Sequence, residues 1–393
     1  MSSLRQTFEI TAINLRSLPQ RIGSSAVICI GIAGVVAVLI TVLAMATGLR
    51  SAYTSAAHED RAIVLSSGAH SEAISFLSRE DIAAIESAPG VVRTARRNPA
   101  VSAEILLQVN MPRRDVAGNG TETVRGLTAV AADVRPEIHL TAGRTFTPGV
   151  REIIVGRAAH DQFAHLDVGE SARFYNGDWL VVGLFESGGD FHESEVFTDA
   201  DTLMSAAHRT AFSAATVTLE SPLAFDAFEH ALLHNPALKA EVQRETDFYS
   251  KRSEDTGKLV EIVATTVAAI MAVGALFGAL NVMYSTVATR AAEIATMRAI
   301  GFGAAPVVAA VLIEAQLLAL FGGALGAAIA WLLFNGQAFN TGGTFGQIAG
   351  HLHVSASLIA AGMAWAAVIG FLGGLFPAIY SARMSVADAL RVI

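Results

Sequence analysis

The chain has 393 residues, of which 52% are hydrophobic and only 16% charged, with a net charge of −8 and a mean hydropathy of +0.48. Ordinary soluble proteins carry about 25% charged residues, so this composition excludes one, and the acidic balance argues against nucleic acid as a partner. A single cysteine, Cys29, leaves no possibility of an internal disulfide.

In residues 1–21, Leu4, Phe8, Ala12 and Leu15 recur at helical spacing, with Arg5, Glu9 and Arg16 elsewhere around the wheel. This predicts an amphipathic helix at the membrane surface, broken by Pro19. A helix crossing a hydrocarbon core needs roughly 20 apolar residues. Four uncharged tracts reach that length, at 22–49, 262–289, 315–350 and 354–382. The spans are placed at 22–49, 256–289, 304–334 and 354–382, joined by a segment at 290–303 and a loop at 335–353. The first tract is longer than a signal-peptide core and is read as a retained anchor. Cys29 lies inside it as a small apolar residue.

Basic residues near span ends set orientation. Arg5, Arg16 and Arg21 precede the first span, Arg290 and Arg298 separate the second from the third, and Arg383 and Arg391 follow the fourth, whereas 335–353 holds no Lys or Arg. Both termini, the 290–303 segment and the 383–393 tail are therefore expected in the cytoplasm, and 50–255 outside. The outer segment holds 19 Lys and Arg against 30 Asp and Glu, which leaves the orientation untouched because long loops translocate largely regardless of charge.

Within 50–255, short β-type runs at 62–66, 101–109, 124–131, 152–155, 172–175, 179–185 and 214–219 alternate with helical patterns at 78–87, 157–165, 199–207, 223–233 and 237–250. The expected fold class is a membrane protein with four transmembrane α-helices and a large α+β extracytoplasmic domain of two subdomains between the first and second.

Arg290, Glu293 and Arg298 put charge at the cytoplasmic face, while Ile294, Met297 and Ile300 form a narrow apolar stripe suited to docking in a partner's groove. The bland alternative is a charged connector that only fixes topology. Glu314 is the sole acidic residue of an apolar segment and must face protein, the interface or water. A structural bond to a neighbouring helix end or the coupling segment is favoured over proton handling. Gly274/Gly278, Gly322/Gly326 and Gly370/Gly374 each have GxxxG spacing, for close packing within a subunit or between two. No G-x-x-x-x-G-K-[ST] occurs, so these residues hold no P-loop nucleotide site and no catalytic or metal residue is assigned. The run His192–Glu193–Ser194–Glu195 lacks H-E-x-x-H spacing and reads as a solvated loop, and His351 and His353 as an exposed turn.

The 288–326 stretch ATRAAEIATMRAIGFGAAPVVAAVLIEAQLLALFGGALG, with its R-x-x-E-I-x-x-x-R-A-x-G turn followed by a span bearing Glu and Gly-Gly, resembles the MacB/FtsX-type ABC transporter permeases. So do Asn14 to Arg21 before the first span, and Gly374-Leu375-Phe376-Pro377-Ala378 with Ala387 to Arg391 at the end. In the outer segment, Leu77 to Ile82, Pro89-Gly90-Val91, Gly143 to Phe146, Val155-Gly156, Val168-Gly169 and Val181-Val182-Gly183 are similar in order to the MacB-like core domain.

The resemblance implies an inner-membrane, multi-pass permease half that pairs with a second permease copy or paralogue and with a cytoplasmic ABC ATPase subunit. That subunit would bind ATP and Mg, leaving this chain without cofactor or enzymatic activity. Arg290, Glu293, Ile294, Met297, Arg298 and Gly301 would form the ATPase-coupling segment, and Gly274/Gly278 would be the pair used at a dimer interface. Its function would be mechanotransmission from ATPase to periplasmic domain for efflux of a periplasmic or envelope substrate, with a membrane-fusion adaptor and outer-membrane channel as further partners. A Lol-like lipoprotein-releasing permease and an FtsX-like regulator of a cell-wall hydrolase are the alternatives.

Overall fold

The computed structural model describes residues 3–17, 22–114, 117–341 and 348–383. Pro19, Arg21, Arg391 and the 384–393 part of the tail, with the expectations attached to them, lie outside the described residues. The helices are α1 (Ser3–Ser17), α2 (Ile22–Ser55), α3 (Arg79–Glu86), α4 (Ala131–Val134), α5 (Arg157–Gln162), α6 (Ala200–Ala207), α7 (Phe225–Leu233), α8 (Glu245–Thr289), α9 (Ala291–Ala299), α10 (Ala304–Phe334) and α11 (Ala356–Arg383). The strands are β1 (Arg61–Ser66), β2 (Val101–Pro112), β3 (Asn119–Leu127), β4 (His139–Gly143), β5 (Glu152–Gly156), β6 (Ser171–Phe174), β7 (Gly177–Glu186), β8 (Glu195–Asp199), β9 (Ala214–Thr218), β10 (Ala240–Arg244), β11 (Ala338–Thr341) and β12 (Ile348–His351).

Two compact units are present. One holds α1, α9, α10, α11 and most of α2 and α8; the other holds the large sheet, the β11–β12 hairpin, α2 beyond residue 47 and α8 up to residue 257. Among the described residues, four helical stretches are long and apolar enough to cross a membrane: Ser25–Ser55, Val260–Thr289, Ala304–Phe334 and Ala356–Arg383. The α+β domain falls between the first and second of these, so the expected class of four apolar helices with an α+β domain between the first two holds.

In the helical unit, glycines set how closely backbones approach. A Cβ on Gly326 would sit 2.4 Å from the Ala33 carbonyl oxygen, and one on Gly322 would sit 2.8 Å from that of Cys29, so α10 lies directly on α2 at these two positions. On the other side of α10, a Cβ on Gly370 or Gly374 would come within 2.4 Å of the Ala319 Cβ or 2.6 Å of the Ala315 Cβ. These four glycines are consumed inside the subunit. Gly274 and Gly278 differ, because an added Cβ at either meets no described atom within 4 Å. Val267, Ile270, Val273 and Phe277 on the same helix are also exposed.

The α+β domain is built on one sheet in the order β10-β1-β9-β2-β3-β8-β5-β7-β4, with β6 paired to β7. Among the described residues, only β3/β8 and β5/β7 pair in parallel. Ser78 starts α3 with a capping box, accepting from the Asp81 N–H at 3.1 Å while the Asp81 carboxylate takes the Ser78 N–H at 2.8 Å. This helix buries Ile82 and Ile85 in a core shared with Ile105, Val124 and Leu203.

The structure differs from the sequence expectations at four places. Residues 240–244, expected inside a helix, form the edge strand β10 against β1. The strands β4 and β8 went unforeseen; β8 begins at an acidic residue, yet all five of its residues are buried in mid-sheet. Residues 335–353 are more than a loop, since they contain the β11–β12 hairpin. The run from His192 to Glu195 is no solvated loop. It folds as a 3-10 turn, Phe191–Ser194, whose four residues are buried, and Glu195 begins β8.

Candidate coupling site

The segment between the second and third long helices is organised by Arg290. It precedes α9 as the N-cap and is 4% exposed, which an arginine tolerates only when its charge and donors are matched. Its guanidinium donates to the Asn14 side-chain oxygen of α1, donates through Nε to Glu293 at 3.0 Å, and lies 3.5 Å from Glu314 of α10. The Asn14 Nδ2 in turn donates to Glu314 at 2.9 Å. Arg290, Asn14 and Glu314 thus close a buried three-residue ring joining α1, α9 and α10, and Glu314 has the protein-bonded setting that an intramembrane acid requires.

Other bonds fix the same segment. Arg298 Nη1 donates to the Ala382 carbonyl near the end of α11 at 3.0 Å. Gly301 ends the turn at φ +105, a conformation that glycine adopts without cost, and its N–H bonds the Arg298 carbonyl. The Gly303 N–H donates to Gln6 of α1 at 3.3 Å.

The orientation of α9 departs from the expected apolar stripe. Ile294 is 4% exposed and points into the unit with Ala295, while Ile300 is 74% exposed and Met297 half-buried. The face turned outward is therefore Glu293, Thr296, Met297 and Ile300, at i, i+3, i+4 and i+7. An aspartate at position 294 would disrupt packing of the unit itself and could not report on docking. Asn14 stands in the N-terminal motif, but its place in this ring is not legible in the sequence, because its partners are 276 and 300 residues away.

The α+β domain holds a second charged cluster, with its own anchoring role. Glu245, the first residue of α8, accepts the His58 N–H at 2.9 Å and is paired with Arg61 of β1 at 2.9 Å and with Arg135 at 3.5 Å. Arg135 also reaches Glu104, which meets Arg125. Arg125 forms ion pairs with Glu72 at 2.7 Å, Glu104 at 2.6 Å and Glu195 at 2.7 Å, every member being buried. Burial alone would raise the Glu104 carboxyl, but the Arg135 and Arg125 charges outweigh it and hold the group at about 2. The helix start is thereby tied through charges to the middle of the sheet. No group of His, Cys, Asp and Glu among the described residues is arranged to hold a metal ion.

Residues 25–234 match the MacB-like periplasmic core domain family and residues 265–386 the FtsX-like permease C-terminal family. The macrolide export ATP-binding/permease protein MacB of Shewanella sp. (strain ANA-3) is 35% identical over 146 residues, which are 37% of this chain and 21% of that protein. The protein of the same name from Salmonella typhimurium (strain LT2) is 33% identical over 145 residues, again 37% and 21%. The matched stretch spans about a fifth of the length of these relatives. Among solved structures, the periplasmic region of MacB from Actinobacillus actinomycetemcomitans is similar with a TM-score of 0.37 and 11% identity, over 49% of this chain and 92% of that one. The extracellular domain of the noncanonic ABC-type transporter YknZ from Gram-positive bacteria gives 0.36 and 18%, over 47% and 99%. On the two family matches, which together take in both the α+β domain and the second to fourth long helices, the chain belongs to the MacB/FtsX-type ABC transporter permeases.

Proposed function

We propose that the chain transmits ATP-driven motion from a cytoplasmic ABC ATPase, absent from these 393 residues, to its α+β domain on the outer side of the inner membrane. Its termini and α9 would lie in the cytoplasm, and the stroke would serve export of a periplasmic or envelope substrate. The observation that carries this reading is the buried Arg290–Asn14–Glu314 ring, which locks a short helix with an outward apolar residue onto α1 and α10. A displacement of α9 by a docked partner would move α1 and α10 with it, because separating them would strand a buried charge. The outward Glu293, Thr296, Met297 and Ile300 form the docking face.

Ile300→Arg is expected to reduce recovery of the cognate ABC ATPase in co-purification at least tenfold while leaving membrane insertion unchanged, since Ile300 is exposed. Equal recovery from both forms would refute docking at this face.

A second permease copy would pack on α8 at Gly274 and Gly278, the GxxxG pair not used inside the subunit. Gly274→Leu with Gly278→Leu is expected to abolish self-association of the full chain, read as the dimer fraction by cross-linking in membranes, without loss of folded protein. Gly322→Leu with Gly326→Leu should instead lose folded protein, because those side chains would drive into the α2 backbone.

A further inference from the structure

The 3-10 turn Phe191–Ser194 gathers three segments that are each continuous with a long apolar helix. From the end of α2 comes Tyr53, whose ring lies 5.3 Å from that of Phe191. From the start of α8 comes Tyr249, at 5.0 Å. The third is the hairpin inserted between α10 and α11: β12 packs on the turn, and Phe339 of β11 packs against the same apolar cluster. Phe191 itself is buried.

The turn is held rigidly from the sheet side. Asp190 caps it by accepting the His192 N–H at 2.9 Å, and Glu193 accepts the Ser187 and Gly189 N–H groups at 2.9 and 2.7 Å. The chain then passes straight into β8, which lies between β3 and β5. The His192 ring lies 4.0 Å from that of Phe191, tilted by 30°, and meets Phe197 of β8 edge-on at 6.1 Å.

We propose that Phe191 is a positioning residue through which the ends of α2, α8 and the β11–β12 hairpin act together on β8. This rests on the reading of the chain as a transmitter of motion and names where in the α+β domain the motion is collected. Aromatic contacts suit the task because they are short-ranged and offer few alternative packings, so a shift of one ring displaces its neighbours. The hairpin matters most, since it gives α10 and α11 a route to the sheet separate from the α2 and α8 stalks.

The test uses the full chain in lipid nanodiscs with its cognate ABC ATPase, comparing wild type, Phe191→Ala and Phe191→Leu by hydrogen exchange. Without nucleotide, Phe191→Ala is expected to speed exchange in residues 338–351 at least tenfold and to leave β2 and β3 unchanged. With ATP and Mg, wild type should change exchange in β8; Phe191→Ala should lose that response while hydrolysis continues, and Phe191→Leu should regain part of it. If Phe191→Ala loosens β2 and β3 as well, Phe191→Leu carries the comparison, with a reduced β8 response expected. Hairpin exchange equal to wild type, or an undiminished β8 response in both variants, overturns the role of Phe191 alone. A wild type with no ATP response sinks the transmission reading and this inference with it.

Discussion

Arg125→Met in the full chain is expected to destabilise the α+β domain by about 3–5 kcal/mol, the cost of leaving a buried ion-pair partner uncompensated. Arg125 is the common partner of Glu72, Glu104 and Glu195, and it holds Glu195 with two donors, at 2.7 and 2.9 Å. Methionine fills much of the volume but leaves three carboxylates in a core. The measurement is pulse proteolysis of the domain in the intact, detergent-solubilised chain across a denaturant series, where a difference below about 1 kcal/mol would contradict the account.

The pH dependence separates the two forms by sign. In wild type Glu104 is held at about 2 in the folded state, against about 4.3 in an unfolded chain. A depressed carboxyl stabilises above its unfolded value and loses that contribution as pH falls through the folded one. Glu104 thus contributes about 3 kcal/mol near neutrality that fades between pH 4.5 and 2. In Arg125→Met the Glu72 and Glu104 carboxyls lose a cation, so burial, the largest influence on each, pushes them upward and favours the protonated form. The variant should therefore gain stability relative to wild type as pH drops from 7 to 5.

The second large effect belongs to the coupling ring. Arg290→Ala removes the cation facing Glu314 inside the helical unit and should cost about 3–5 kcal/mol against SDS or thermal unfolding, along with nearly all stimulation of the ATPase. Replacing both partners by apolar groups of similar size is often neutral, so Arg290→Met with Glu314→Met should recover most of the stability. It should not recover ATPase stimulation, because the Asn14 bonds to Arg290 and to Glu314 would both be gone. Recovery of both together would mean that the ring only holds the fold.

The contacts behind these effects are unevenly legible in the sequence. Four spans could be read because uncharged tracts of that length have few other uses, and the Arg290 and Glu314 positions stood out as charges beside or within them. The partner of each could not be read, since Asn14 lies hundreds of residues upstream and nothing local marks it. The three GxxxG pairs are alike as text. Only packing shows that Gly322, Gly326, Gly370 and Gly374 are filled from within the subunit while Gly274 and Gly278 are not.

The errors share one cause, which is that burial is a tertiary property. An apolar stripe at Ile294, Met297 and Ile300 fixes a helix but leaves its rotation open, and the ring at Arg290 turns Ile294 inward. The run from His192 to Glu195, lacking metal-ligand spacing, reads as a solvated loop, whereas Arg125, 70 residues earlier, takes Glu195 into the core. Residues 240–244 are helix formers by propensity, and pairing with β1 overrides them.

ATP at the cytoplasmic side is expected to rearrange the α+β domain. A spin label introduced by Leu223→Cys on that domain, where the side chain is exposed, can be placed on both copies of the proposed dimer, each a Cys29→Ala chain, reconstituted with the proposed ATPase partner in nanodiscs. Pulsed dipolar spectroscopy then reads the label-to-label distance with and without ATP and Mg. The distribution should shift on ATP binding and return after hydrolysis; an identical distribution during sustained hydrolysis would contradict transmission to the domain.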